Sequence, residues 1–377
     1  MKAYEYKRLE ADLPLIRGHA GPVVDFDFSP FNDSLLATAS EDGTVKLWQI
    51  PEAGITKDVL TSDAELSGGH SKKLIFAKFH PSAEYTMATS GHDTTVRVWD
   101  IENQKNVLTF EGMKSATNAL EWSHNGSLLG CITKDKNLQW FDPRSQTSCA
   151  SVATHEGARP QKMTWCGDSQ TIMTCGFSKL AEREFGIWDI RNADKPVYKN
   201  RLDDYSGVPF IHFDEDHKVI YIAGKGESAI SFFQFSSENP KFIDYLGSYK
   251  GKEPQKGFSF LPKKSCDLLA NEVNRGVRLT AKTVEYVSFK VPRKAGGFQA
   301  DLFPPTRSSE AAIRFEDYAS GTNSEPKRVQ LRPDAESASG AKKAVFAAKA
   351  VETTSFVSSP TRSQADQDEI NALTRRI

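Results

Sequence analysis

Apolar and polar residues alternate along short stretches of this chain, and Gly, Asn and Asp residues separate the stretches. The alternating stretches are rich in β-branched and aromatic side chains, as in VVDFDF from Val23 to Phe28 and VRVWD from Val96 to Asp100. This pattern predicts short antiparallel strands joined by tight turns. The expected fold class is therefore all-β.

Two of these regions repeat each other at a fixed offset of 51 residues. Each opens with Gly-His and closes with Trp-Gln or Trp-Asp around four predicted strands, which is typical of one blade of a WD-repeat β-propeller. The matching positions are His19 and His70, Pro30 and Pro81, Thr38 and Thr89, Asp42 and Asp93, and Trp48 and Trp99.

Less regular units of the same kind follow the first two. Phe141 and Phe233 each stand six residues after an acidic turn residue, as Trp48 does. Another later unit ends with Trp188-Asp189, the Trp-Asp pair that is typical of a blade. We count six units between about Leu13 and Pro292, and we assign residues 1–292 to the propeller. The four later units cover residues 119–144, 155–191, 208–235 and 255–292.

The composition changes after Pro292. Residues 293–321 place aromatic side chains between turn residues, which predicts an ordered extension packed on the propeller; these are Phe298, Phe303, Phe315 and Tyr318. Residues 322–377 are rich in Ser, Ala, Lys, Pro and Thr, which predicts a flexible tail. The tail ends with coiled-coil spacing at Ile370, Leu373 and Ile377. This single heptad is interpreted either as a frayed helical turn or as the stub of a longer coiled coil.

Charge and cysteine content narrow the functional class. The formal net charge is −1, so no overall field attracts the chain to nucleic acid or lipid. The five cysteines form no CxxC pair and are odd in number, which argues against a disulfide framework and a zinc site. The amino terminus shows no signal peptide, and no apolar run reaches the roughly 18 residues of a membrane span. We expect a protein of the cytoplasm.

The repeated polar residues resemble a catalytic set but favour a structural interpretation. His19, Thr38, Asp42 and Trp48 recur as His70, Thr89, Asp93 and Trp99. In a blade, these side chains form a buried hydrogen-bond chain, whereas a catalytic site would occur once. We therefore expect no catalytic residue and no enzyme activity; a hydrolase on this scaffold would need a nucleophile–base pair outside the repeated set.

Metal and phosphate sites are not expected either. The remaining histidines lack metal-ligand spacing; they are His80, His92, His124, His155, His212 and His217. GKGES, from Gly224 to Ser228, lacks the other residues of a phosphate-binding loop and predicts a hairpin turn between strands. The sequence thus implies no metal and no cofactor.

Basic residues concentrate in one segment, where Lys250, Lys252, Lys256, Lys263 and Lys264 lie within fifteen residues. Such a run is either a solvated rim or an electropositive patch that steers association with an acidic protein. The sequence alone leaves both interpretations open.

Several motifs resemble the coronins, a family of actin-associated WD-repeat proteins. The resemblance covers about residues 13–321, and its last two motifs lie outside the general repeat pattern. The motifs are GHAGPVVDFDFSPFND, HEGARP, GKGES, KEPQKGFSFLPKK and VPRKAGGFQADLFPPT.

The resemblance implies a seven-bladed propeller without catalysis. It also implies binding to filamentous actin, control of the branched-actin nucleating complex and a place in the actin cytoskeleton. The residues that we assign to actin contact are Lys252, Lys256, Lys263, Lys264 and Arg159. The competing hypothesis is a WD-repeat scaffold whose partner is not actin, since a propeller by itself specifies no function.

Two departures from the family pattern bear on the architecture. Coronins have a further blade before the position of His19, and short coronins oligomerise through a coiled coil that here stops at its first heptad. A truncated or alternatively started product would explain the first departure. We predict that Leu13–Arg17 completes the last blade and closes a ring of six; the alternative is an open arc.

Overall fold

The computed structural model describes residues 12–145, 147–192, 194–294 and 296–333. It confirms the predicted all-β WD-repeat propeller, with six consecutive antiparallel sheets in the described part of the chain. The first sheet contains β1 (Val23–Phe28), β2 (Leu35–Ser40), β3 (Val45–Gln49) and β4 (Ala64–Leu66). The second contains β5 (Leu74–Phe79), β6 (Thr86–Gly91), β7 (Val96–Asp100) and β8 (Lys105–Phe110).

The next three sheets have the same four-stranded order. The third contains β9 (Thr117–Trp122), β10 (Leu129–Thr133), β11 (Asn137–Asp142) and β12 (Thr147–Ala153). The fourth contains β13 (Lys162–Trp165), β14 (Thr171–Phe177), β15 (Arg183–Asp189) and β16 (Tyr198–Asp203). The fifth contains β17 (Pro209–Asp214), β18 (Val219–Gly224), β19 (Ala229–Phe235) and β20 (Ile243–Lys250).

The sixth sheet has three strands: β21 (Gly257–Phe260), β22 (Glu272–Leu279) and β23 (Val284–Lys290). First strands of neighbouring sheets contact each other in succession from β1 to β21, so they line the centre. Apolar side chains fill the space between sheets; Leu47 of the first sheet packs with Met87 and Trp99 of the second. Each fully buried side chain of this kind stabilises the fold by about 1.5–3 kcal/mol.

Antiparallel connectivity gives the six sheets two distinct sides. Turns between second and third strands lie on the same side as the connections from one sheet to the next. We call this the histidine side, because it carries His19 and His70 next to the turn residues Asp42 and Asp93. Turns between first and second strands lie on the opposite side.

The extension packs on that opposite side, which we call the extension side. It contains a 3₁₀ turn (Ala300–Leu302), β24 (Thr306–Arg307), α1 (Phe315–Ala319) and β25 (Arg328–Val329). The Tyr318 ring lies 4.6 Å from the ring of His80, and the Leu302 carbonyl lies 2.8 Å from His217 Nε2. Among the described residues, no helix has the length and hydrophobicity of a membrane-spanning segment.

The extension continues past the boundary predicted at residue 321. β25 pairs with β24, so Thr306 lies opposite Val329 and Arg307 lies opposite Arg328. Residues 322–329 therefore belong to the extension in this structure. The predicted tail from residue 334 onward, including its heptad, lies outside the described residues.

The prediction for Leu13–Arg17 is wrong. This segment runs parallel to the chain at Val59, whose amide N lies 2.9 Å from the Leu15 carbonyl and whose carbonyl lies 2.9 Å from the Arg17 amide. This contact is an isolated bridge to the segment between β3 and β4, and the sixth sheet keeps three strands. The pairing partner is set by long-range topology, which an isolated apolar pentapeptide does not specify.

The outer face of β1 is correspondingly uncovered. Val23, Phe26 and Phe28 are 50%, 63% and 48% exposed, whereas their repeat counterparts in the second sheet are buried against the first sheet. The first and sixth sheets therefore lack the apolar packing across β1 that joins the first sheet to the second. An ion pair between Lys264 and Asp33 links them on the extension side.

Candidate functional site: a basic arc on the histidine side

The repeated polar residues come together as hydrogen-bond chains in the first two sheets. His19 Nε2 lies 2.7 Å from Thr38 Oγ1, and Trp48 Nε1 donates to the same hydroxyl at 2.8 Å. His19 Nδ1 lies 2.9 Å from the Asp42 carboxylate, which also accepts the Ala20 amide.

The second sheet repeats this arrangement closely. His70 Nε2 lies 2.8 Å from Thr89 Oγ1, and Trp99 Nε1 donates to that oxygen at 2.7 Å. The Asp93 carboxylate lies 3.0 Å from His70 Nδ1. Each chain links the connection between sheets to the second and third strands, so it fastens the turns of the histidine side.

A third chain, which the sequence analysis missed, occurs in the fourth sheet. His155 lies 2.9 Å from Thr174 Oγ1 and 2.8 Å from the Glu184 carboxylate, and Trp188 Nε1 donates to Thr174 at 2.9 Å. The 19-residue separation of His155 and Thr174 matches that of His19 and Thr38. This spacing was the available signal; the longer β14–β15 hairpin and the use of Glu in place of Asp concealed it.

Burial determines the protonation of these groups. It lowers the pKa of His70 and of His155, although the neighbouring carboxylates of Asp93 and Glu184 oppose the shift. Burial likewise raises the pKa of four thiols to about 12: Cys131, Cys166, Cys175 and Cys266. The imidazoles thus act as neutral internal hydrogen-bonding groups, and these thiols stay protonated at neutral pH.

The five residues assigned to partner contact do not share one surface. Arg159, Lys252 and Lys256 lie in connections on the histidine side, whereas Lys263 and Lys264 follow β21 on the extension side. The Lys263 ammonium group is internal, because it donates to Asp214 at 2.5 Å and to the Val273 carbonyl at 2.6 Å. The predicted single patch is therefore divided by strand β21.

The histidine side nevertheless carries a continuous basic surface. We define the basic arc as Arg159, Lys225, Lys252 and Lys256, all of which are exposed. Among the described residues, none of the four forms an ion pair within 4.0 Å. Their positive charges consequently remain available to an acidic partner.

Hydrogen bonds between adjacent turns make the arc continuous. Arg159 donates to the Ser206 carbonyl, which places it beside the connection from the fourth sheet to the fifth. Gln255, between the last two lysines, donates to the Gly224 and Ala229 carbonyls at 3.1 and 2.9 Å. As predicted, GKGES forms the β18–β19 hairpin turn, which presents Lys225 next to this segment.

The centre of the propeller contains an open polar channel of about 290 Å³. Burial raises the pKa of the Asp27 carboxyl to about 6, despite the nearby ammonium group of Lys78. Glu215, at the extension side of the channel, is held by Arg307 at 2.6 Å. Glu215 thus has an ion-pair partner in this channel, and Asp27 accepts the Phe79 amide at 3.0 Å.

These features define the class of protein as a WD-repeat β-propeller with an exposed basic surface on one side. The model for "WD domain, G-beta repeat" matches residues 12–49 and 64–100, and the model described as a type of WD40 repeat matches residues 284–326. The chain belongs to the coronin family. It is 36% identical to coronin-A of Dictyostelium discoideum over 319 residues, which are 85% of this chain and 71% of that protein.

Other comparisons agree with this assignment. The chain is 33% identical to coronin-2A of Bos taurus, over 87% of this chain and 63% of that protein. It therefore spans less than two-thirds of the length of coronin-2A. The crystal structure of the WD40 domain of Toxoplasma gondii coronin has a TM-score of 0.80 and 35% identity, covering 84% of this chain and 82% of that chain.

Proposed function

We propose that this protein binds actin filaments through the basic arc of its histidine side. The family resemblance indicates actin as the partner. The observation that most supports the proposal is that four basic residues are exposed on the propeller without an acidic partner. The protein acts as an adaptor of the actin cytoskeleton in the cytoplasm, and the branched-actin nucleating complex is its second proposed partner.

The physical basis of the proposed interaction is charge complementarity. Exposed ion pairs contribute about 0.2–1 kcal/mol each, so several must act together to hold a filament. Arg159, Lys225, Lys252 and Lys256 lie on turns of a rigid scaffold, so their charges are presented together without a large ordering cost. Salt screens such exposed charges over about 10 Å at 0.1 M ionic strength, so binding should weaken as salt increases.

Filament co-sedimentation tests the proposal. We expect the full chain to pellet with actin filaments at low salt and to dissociate progressively as salt rises. Reversing three charges of the arc together should weaken binding roughly tenfold or more, because attraction becomes repulsion. The variant carries Arg159→Glu, Lys252→Glu and Lys256→Glu.

A matched control reverses three exposed charges on the extension side. Lys57, Lys195 and Lys241 are suitable because they are exposed between third and fourth strands and, among the described residues, form no ion pair within 4.0 Å. The control changes net charge by the same amount and should pellet like the unaltered chain. Equal loss in both variants would show that only overall charge matters, and absence of pelleting by the unaltered chain would favour a partner other than actin.

A further inference from the structure

Three exposed side chains of the histidine side lie on adjoining turns where the fourth and fifth sheets adjoin. Leu180, at the tip of the β14–β15 turn, is 83% exposed and is the most exposed large apolar residue in the described part of the chain. Tyr205, in the connection from β16 to β17, is 38% exposed. Arg159, the first residue of the basic arc, lies in the connection that precedes β13.

Short contacts join the three segments that carry these residues. The Arg159 guanidinium carbon lies 5.1 Å from the centre of the Phe177 ring, three residues before Leu180. The Gly157 amide donates to the Phe177 carbonyl at 2.6 Å, so the connection lies directly against the β14–β15 hairpin. The Arg159 guanidinium also donates to the carbonyl of Ser206, the residue after Tyr205. We call Arg159, Leu180 and Tyr205 the seam patch.

A buried arginine, Arg183, holds the turns next to the seam patch in place. Arg183 donates to the Asp203 carboxylate at 2.8 and 2.5 Å, and its guanidinium carbon lies 5.4 Å from the centre of the Tyr205 ring. It also lies 3.3 Å from the Glu227 carboxylate, which accepts the Gly207 amide at 2.8 Å. The turns that carry Leu180 and Tyr205 are therefore joined by one ion-pair network.

Two glycines show how closely these turns approach each other. A Cβ atom on Gly157 would lie 2.5 Å from the Phe177 carbonyl oxygen, and one on Gly207 would lie 2.4 Å from the Lys225 carbonyl oxygen. Only a residue without a side chain permits this packing. A surface held in this way loses little conformational freedom when a partner binds.

The chemistry of the patch differs from that of the rest of the basic arc. Tyrosine and arginine are enriched among the residues that dominate binding energy, and exposed apolar side chains gain free energy when a partner covers them. Neighbouring charges are largely paired: Lys179 lies 3.3 Å from Glu156, and Arg201 pairs with Glu182. Arg159, which lies against the Phe177 ring, forms no ion pair within 4.0 Å among the described residues.

We propose that the seam patch is the apolar anchor of the partner interface. The partner is an acidic protein surface with an apolar recess that accepts the Leu180 side chain and lies against the Tyr205 ring. This inference rests on the proposed function, in which that surface belongs to the actin filament. The basic arc, including Arg159, then supplies salt-sensitive attraction, and Leu180 and Tyr205 supply a contribution that salt does not screen.

Leu180→Ser tests this division of roles in filament co-sedimentation at several salt concentrations. We expect the variant to bind roughly fivefold or more weakly, as for a contact that dominates an interface. The ratio of its dissociation constant to that of the unaltered chain should be the same at every salt concentration. Because Leu180 is exposed, the substitution should leave the thermal unfolding midpoint unchanged.

Leu246→Ser provides the matched control. Leu246 is 52% exposed within the edge strand β20, away from the turns of the histidine side, and the control should bind like the unaltered chain. Normal pelleting by Leu180→Ser, or equal weakening by both variants, would overturn the inference while leaving the proposed function intact. Failure of the unaltered chain to pellet would overturn both.

Discussion

Replacing Thr89 with valine is expected to lower the free energy of unfolding by about 2–4 kcal/mol, although the two side chains have nearly the same shape. The hydroxyl accepts a hydrogen bond from Trp99 Nε1 and lies 2.8 Å from His70 Nε2. Valine would leave a buried indole N–H and a buried imidazole nitrogen without their partner. Each such group costs about 1–3 kcal/mol when it is unpaired. Urea denaturation followed by tryptophan fluorescence measures the loss.

Thr61→Val is the matched control for this prediction. Thr61 is exposed in the segment before β4, so its replacement should change stability by no more than about 0.5 kcal/mol. If Thr89→Val proved as stable as Thr61→Val, the hydrogen-bond chain would not be structural. The repeated His, Thr, Asp and Trp residues would then need another explanation.

Replacing Arg183 with methionine is expected to lower the free energy of unfolding by about 3–5 kcal/mol. The Arg183 side chain is only 1% exposed and pairs with the carboxylates of Asp203 and Glu227. Burial alone would lower the pKa of this guanidinium, but its hydrogen bonds and ion pairs with the two carboxylates raise the pKa instead. Methionine would leave both acids without their partner, and chemical denaturation would show the loss.

Two further variants separate loss of charge pairing from loss of packing. Combining Arg183→Met with Asp203→Asn and Glu227→Gln should restore part of the stability, because the remaining groups are neutral. Arg191→Met removes an exposed arginine that pairs with Asp189 and should leave the unfolding midpoint unchanged. No recovery in the combined variant would contradict an electrostatic cause.

The regular part of the fold is predictable because it repeats. His19 and His70, with their threonine, aspartate and tryptophan partners, stand at equal spacings, and equal spacings imply equivalent structural roles. The third hydrogen-bond chain is harder to recognise, because Trp188 follows Thr174 by 14 residues rather than 10. The β14–β15 hairpin accommodates this insertion without disturbing the chain.

The sequence predicts surfaces less well than blades. Lys256 and Lys263 are close in sequence, but β21 lies between them, so they emerge on opposite sides of the propeller. A strand only four residues long is enough to separate them. Arg183 was not identified at all, since a charged residue in a strand indicates burial only when its distant partners are known. Leu180 likewise becomes a candidate contact residue only when the residues around it in space are known.

Polar residues in the described part of the chain thus have two roles. Internal chains built on His19, His70 and His155 hold the turns of the histidine side, and the Arg183 network does the same between the fourth and fifth sheets. Exposed residues on those turns are then presented on a rigid scaffold. The proposed binding surface lies where three connections and two hairpin turns adjoin.

Electron cryo-microscopy of actin filaments decorated with the full chain would show which side of the propeller contacts actin. We expect the histidine side to face the filament, with Arg159, Lys252 and Lys256 opposite acidic side chains and Leu180 in an apolar recess. A reconstruction in which the extension side faces the filament, with Lys264 and Arg293 at the contact, would show that the histidine side is not the binding surface.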